Sequence, residues 1–485
     1  MLRALAAILL ATAAAAAQDR VRSSVVRVYA TYQCPNHARP WDVYPHDEVT
    51  GSGCIIAGNR ILTNAHVVSD QTFVQVQRAD IADKHVARVA AVSHELDLAV
   101  LTVDGDAFFA GAEAVPLGTL PRVGDTVVTL GFPTGGTRLA VTEGVVSRID
   151  RSVYSHSWLE NLVCQIDAPI NPGSSGGPVL SEGRIAGVAF QTRSGQNIGY
   201  MVPAPVVEHF LKDIQDGRLD GSPTLAARWQ WLENARLRRH HGMADGQSGV
   251  LLTKVAPAFE GEGRLRARDI LLGVDEHDVA NDGTIEFRPG ERIELSHVFD
   301  QRQVGESVTL HLLREGKPVD VELKLSEAKT AYGNLVPRLR YETRPSYFIY
   351  GGLVFAPLTA NYLNEWDEWS DVPIHFRRYY AELRTAENAW REEVVVLIDV
   401  LKDQLNAGYG YYASSVVSKV DGTAVASLRH LAELLERQGG ETRHILLEES
   451  DCEIVLAHED ARRRTPAILE RYRVPADRSP DLMAR

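Results

Sequence analysis

The chain has 485 residues, of which 45% are hydrophobic and 24% charged, and its formal charge at pH 7 is −13. This length suits about three domains, and the composition is that of a globular chain with sizeable cores. The acidic balance argues against a nucleic-acid partner, which needs a basic face; the basic run at 236–241 reads as solvated surface.

At the start, MLRALAAILLATAAAAAQD carries Arg3, an apolar run from Ala4 to Ala17 and several A-x-A cleavage options. The run is shorter than the roughly 20 residues that span a bilayer. Residues 1–17 therefore read as a secretory signal peptide, which predicts an exported location, a bacterial periplasm or another exported space. No later segment reads as an integral membrane span.

Short, glycine-punctuated strands between residues 23 and 205 predict two small antiparallel barrels. GSGCIIAGNRILTNAHVV (51–68) reads as a strand, a Gly-Asn turn, a second strand and a short helical turn holding His66. In ELDLAVLTV (95–103), Asp97 stands at the mouth of an apolar strand. A carboxylate there needs a partner. A histidine ring N–H fits, because the carboxylate then fixes the imidazole tautomer.

INPGSSGGPV (170–179) places two serines in a glycine-rich turn. In acyl transfer by a serine, the developing oxyanion is held by the N–H of the nucleophile and that of the residue two places earlier. For Ser174 that earlier residue is Pro172, which has no N–H. For Ser175 it is Gly173, which has a donor and no side chain in the way. Ser175 is the predicted nucleophile, with Gly173 and Ser175 as oxyanion donors. His66, Asp97 and Ser175 also follow the chain order of the double-barrel serine-protease template.

Cys34, Cys54, Cys164 and Cys452 are scattered without metal-ligand spacing, and no metal or cofactor is expected. Cys54 and Cys164 lie in apolar runs and read as buried thiols; an exported compartment permits a disulfide, but the sequence does not pair them. KDIQDGRLDGSP (212–223) reads as a linker. Beyond it, ILLGVDEHDVA (270–280) resembles VVSKVDGTAVA (416–426). Aligning Val274 with Val420 gives an offset of 146, the difference of the two numbers. Each copy is followed by a helical pattern and then strands, which suggests two copies of one unit.

TNAHVV, DLAVL and INPGSSGGPV resemble the three catalytic blocks of the HtrA/Deg serine proteases, and VVTLGFPTGG (127–136), VTEGVVSRID (141–150) and NIGYMVPAPVVEHFL (197–211) agree. Ser174 departs from the family, which commonly has Asn there. The repeated units resemble the PDZ domains that follow such proteases, and the layout over about 22–475 looks closest to the plant Deg9-type branch. The resemblance implies an all-β, chymotrypsin-like double barrel at 20–215, a PDZ domain at 222–327, a PDZ-like α+β domain at 343–460 and a C-terminal tail at 461–485. It also implies a primary specificity pocket at Ile170, Ala189 and Phe190, suited to small or medium aliphatic residues. HGMADGQSGV (241–250) is expected to hold the peptide-binding loop of the first PDZ copy. The aromatic insertion TANYLNEWDEWSD favours an assembly role for the second.

The function so implied is ATP-independent endoproteolysis of unfolded or damaged proteins in an exported compartment, as protein quality control. The expected partners are unfolded polypeptides, peptide termini at the first PDZ copy and further copies of the chain in a trimer-based oligomer. A chaperone or scaffold that holds clients with little cleavage, and a regulatory protease with one dedicated substrate, are the alternatives.

Overall fold

In the computed structural model, residues 21–483 are described apart from 135, 193–197, 226, 257–258, 260–263, 326–333, 386 and 449–451. The expected signal peptide at 1–17 lies outside the described residues. Two compact units divide the chain between 332 and 333, and the excursion Gln33–Pro45 goes with the second.

The first unit opens with six strands, β1 (Val25–Tyr32), β2 (Asp47–Ile56), β3 (Arg60–Thr63), β4 (Gln71–Arg78), β5 (His85–Ser93) and β6 (Leu98–Val103). They close in the order β1-β2-β3-β6-β5-β4. Strand alternation explains the inner face: Val26, Val28 and Ala30 of β1 and Val74 and Val76 of β4 are buried in one core. A second set follows: β7 (Thr126–Gly131), β8 (Ala140–Val153), β9 (Glu160–Ile166), β10 (Pro178–Ser181), β11 (Arg184–Thr192) and β12 (Gly199–Pro203). It closes as β10-β11-β12-β9-β8-β7. Two closed antiparallel barrels form, as the sequence predicts, and closure removes the exposed sheet edges. Helix α1 (Ala204–Asp213), with a proline in its first turn, ends this part.

The same unit continues with β13 (Ala227–Trp231), α2 (Ala235–His240), β14 (Val250–Val255), β15 (Ile270–Val274), β16 (His277–Asp278), β17 (Thr284–Arg288), β18 (Glu291–Glu294), α3 (His297–Asp300), β19 (Ser307–Arg314) and β20 (Lys317–Lys324). The sheet runs β13-β14-β15-β19-β20, so β13 is an end strand. This module is fastened to the second barrel by Arg151 of β8. Its nearly buried guanidinium pairs with Glu294 at 3.1 Å and with Asp300. Arg288 adds hydrogen bonds to the carbonyls of Leu120 at 2.8 Å and Pro121 at 2.9 Å.

The second unit holds β21 (Phe348–Tyr350), β22 (Leu353–Pro357), α4 (Ala360–Leu363), α5 (Ile374–Tyr380), β23 (Val395–Val400), β24 (Ser415–Val420), β25 (Thr423–Ala424), α6 (Leu428–Glu436), β26 (Thr442–Leu447), β27 (Glu453–Ala457), α7 (His458–Tyr472) and α8 (Pro480–Met483). Its sheet is covered on both faces, which is why its strands read as continuous apolar runs. Phe355 and Leu397 meet α6 on one side; Val354 and Val396 meet Phe376 of α5 on the other.

The repeat seen in the sequence is a repeat in structure. Asp275 and Asp421 both adopt positive φ, 49° and 48°. Each donates its N–H to the next long strand, to Thr309 and His444 at 2.8 Å, and each accepts an N–H in return from that same residue. The short aspartate side chain makes this left-handed turn affordable.

One stretch differs from expectation. The residues from 461 onward, expected as a tail, continue α7 and then run as an extended segment against β21. Ile349 N–H donates to the Asp477 carbonyl at 2.7 Å, and Ser479 N–H to that of Tyr347 at 3.0 Å. Arg478 stacks over Phe348 and pairs with Glu436 of α6. In the aromatic insertion, Glu365 accepts the His37 N–H at 2.8 Å; elsewhere in this second unit Trp41 packs edge-on against Tyr347.

Candidate active site

His66 sits in the turn after β3, Asp97 in the turn before β6. The Val68 N–H bond to the Ala65 carbonyl at 2.9 Å makes the first a single turn, where the sequence suggested a short helical one. Asp97 has a positive φ of 52°, which swings its side chain back toward β3. One carboxylate oxygen accepts the His66 backbone N–H at 2.9 Å; the other lies 2.7 Å from Nδ1 of the same ring. Asn64 donates to the Asp97 carbonyl at 2.7 Å. Aspartate and imidazole are thus held as a rigid pair, the carboxylate 1% exposed and the ring 29%.

The charges of that pair are set by competition. Burial pulls the His66 pKa down, but the charge and hydrogen bond of Asp97 outweigh it and leave it above its ordinary value. Burial likewise pushes Asp97 up, while His66, with a smaller pull from His156, holds it below the usual carboxylate range. The carboxylate stays ionised beside a ring poised to take a proton.

Ser175 lies on the turn before β10. A Cβ at Gly51 would stand 2.6 Å from Val67 and 3.2 Å from the Ser175 carbonyl, so the His66 turn and the serine turn meet across β2. The Ser175 hydroxyl donates to the Phe190 carbonyl at 3.3 Å. Among the described residues, neither the Gly173 nor the Ser175 N–H is hydrogen-bonded to another group. The Pro172 carbonyl accepts the Thr134 N–H at 2.7 Å, and because a trans peptide is planar, the Gly173 N–H is turned away from Thr134. Gly173 has φ 90° and Gly176 φ 85°, a conformation glycine reaches without strain.

Ser52 of the first barrel was not singled out from the sequence. Fully buried, its hydroxyl donates to the Gly173 carbonyl at 2.8 Å and accepts the Phe132 N–H at 2.8 Å. Its N–H donates to the Ser175 carbonyl at 2.7 Å. One residue therefore ties the serine turn to the opposite barrel. The only sequence signal was the Gly-Ser-Gly context, where small residues allow close backbone approach.

Of the expected pocket residues, Ile170 is 7% exposed, Ala189 0% and Phe190 3%. Ile170 packs against Gly199, and the Phe190 ring lies 4.5 Å from that of Tyr154. All four cysteines are free thiols. Burial drives the Cys164 thiol up to about 12 and Cys54 higher still, which leaves both unreactive. Among the described residues no cluster suited to a metal ion is present and no helix is long and apolar enough to cross a membrane.

Paired barrels, with a bonded histidine–aspartate pair on a turn that meets a glycine-rich serine turn, are the architecture of a trypsin-like serine endopeptidase. The model of the trypsin-like peptidase domain matches residues 51–188, and that of the PDZ domain matches 336–481. The chain is 38% identical to the putative protease Do-like 3, mitochondrial, of Arabidopsis thaliana, over 96% of this chain and 81% of that protein. It is 34% identical to the chloroplastic protease Do-like 2 of the same plant, over 95% and 75%. A solved HtrA-type protease, AlgW S227A with a decapeptide, shares the fold with a TM-score of 0.51 and 24% identity, over 64% of this chain and 97% of that one. The chain belongs to the HtrA/Deg family of serine endopeptidases.

Proposed function

We propose that the chain is an ATP-independent endopeptidase that cuts unfolded or damaged polypeptides, with Ser175 as nucleophile. His66 takes the serine proton as the hydroxyl attacks the scissile carbonyl and returns it to the leaving amine. Asp97 fixes the ring tautomer and stabilises the imidazolium. The N–H groups of Gly173 and Ser175 receive the oxyanion. The observation that carries this reading is the buried Asp97 carboxylate, bonded to both the ring and the backbone of His66, on a turn that meets the serine turn across β2. The hydroxyl must leave the Phe190 carbonyl to reach the imidazole. Substrates in extended form suit a cleft between two barrels, since folded chains keep their backbone groups paired.

The first PDZ copy takes a peptide end by strand addition along β13, the end strand of its sheet. β13 spans 227–231, and the stretch expected to hold the peptide-binding loop, 241–250, runs through turns into the start of β14 beside it. A trimer-based assembly and an exported or organellar compartment complete the reading; the family resemblance supports the first, and the mitochondrial and chloroplastic relatives the second. Casein hydrolysis, with cut sites read by mass spectrometry, tests it. Ser175→Ala should lose activity on the order of 10⁴-fold or more; cleavage that survives in that variant would refute the assignment.

A further inference from the structure

A second pair of imidazoles stands beside His66. His94, in the β5–β6 turn of the first barrel, and His156, in the β8–β9 turn of the second, approach to 2.9 Å between Nδ1 and Nε2. The His156 ring lies 6.1 Å from that of His66. Both histidines are partly exposed, and together they join the two barrels beside His66.

The turn that carries His156 is built with unusual firmness. Tyr154 is fully buried under Phe190 and its hydroxyl donates to the Leu162 carbonyl. Tyr154 and Trp158 are tied by a hydrogen bond of 2.9 Å, and Trp158 is held at φ 57°, a costly conformation for a bulky residue. Ser155 N–H donates to the Gln191 side chain at 3.2 Å, anchoring the turn on β11 just past Phe190.

Substrate geometry gives this wall a role. The Ser175 hydroxyl lies 3.3 Å from the Phe190 carbonyl, so an extended substrate with its carbonyl between Ser175 and the two N–H donors would run beside Phe190 and Gln191. Successive side chains of an extended strand point to opposite sides. If the scissile residue points toward Ile170, its N-terminal neighbour points the other way, toward His66 and His156. We propose that His94 and His156 form the subsite for that neighbouring residue and select an acidic side chain there. An imidazole N–H donates a stronger hydrogen bond to a carboxylate than to a neutral amide, and it has no acceptor to offer in the same place to an ammonium group. The proposal rests on Ser175 being the nucleophile.

Three peptides that differ only in that position, Glu, Gln or Lys, test it at neutral pH through their kcat/KM ratios. Wild type should cleave in the order Glu, Gln, Lys, with Glu over Gln by about five-fold. His156→Gln and His94→Gln, made separately, should bring the Glu-to-Gln ratio close to one, whatever the absolute rates. A wild-type ratio at or below one, or a ratio unchanged in both variants, overturns the subsite. Hydrolysis of these peptides by Ser175→Ala would instead overturn the nucleophile, so the two failures are distinguishable.

Discussion

Ser175 shows how much one residue's neighbours disclose. Pro172 lacks an N–H and Gly173 has one, so the choice between Ser174 and Ser175 could be made from covalent chemistry alone. His66 and Asp97 were legible as a pair because a carboxylate at a strand mouth needs a donor. Ser52, His94 and His156 were not legible: their roles arise only where the two barrels meet, and nothing local marks a serine or histidine for such a meeting. The same residues predict a pH profile. On the proposed mechanism His66 must be neutral to accept the serine proton, and Asp97 raises its pKa above the ordinary 6.5. Activity is therefore lost as pH falls through a value above 6.5, and the acid limb of kcat/KM should have its midpoint there. Measuring initial rates from pH 5 to 9 checks this; a midpoint below 6.5 would mean that burial, not Asp97, governs the ring.

At the scale of elements, alternation made the barrel strands readable, whereas the C-terminal segment was hidden. Residues 476–482 are polar and proline-containing and so look like a solvated end. Their attachment runs through backbone hydrogen bonds to Tyr347 and Ile349, which leave no compositional trace. Leu482 packs against the core under α6, and the Ser346 hydroxyl donates to Asp481 at 2.8 Å. The segment covers β21, an end strand of the sheet, and so blocks the unpaired edge that invites aggregation. Deleting residues 475–485 should destabilise the second unit by about 2 kcal/mol, from lost apolar burial and unpaired N–H groups. A lowered urea midpoint, restored by adding the same eleven residues as a peptide, is the expected result. An unchanged midpoint would show that the segment merely rests on the sheet.

At the scale of the whole molecule, the repeat was visible in sequence, but within the first unit the docking of β13–β20 on the barrels was not. That docking depends on charges too far apart in the chain to be paired by inspection: Arg151 with Glu294 and Asp300. Beside them, His297 of α3 is 3% exposed and His209 of α1 7%, and both line a cavity of about 270 Å³ with Lys212 and Asp300. Burial pulls His297 down to about 4, with Arg151, His277 and Arg288 adding repulsion. His209 is lowered as well, chiefly by burial. The Asp300 carboxylate, 3.9 Å from His297, is occupied by Arg151 and does not reverse the effect. A histidine with a lowered folded pKa stays neutral while the unfolded chain takes up a proton. Its contribution is complete above about 6.5 and is lost progressively as pH falls toward 4. For His297 the loss is at most roughly 3 kcal/mol. The junction should therefore loosen as pH falls from 6.5 toward 4. His297→Gln, which keeps a polar side chain but cannot titrate, should flatten the fall in melting temperature between pH 6.5 and 4. The same pH slope in wild type and variant would assign the acid sensitivity to other groups and leave this histidine as packing alone.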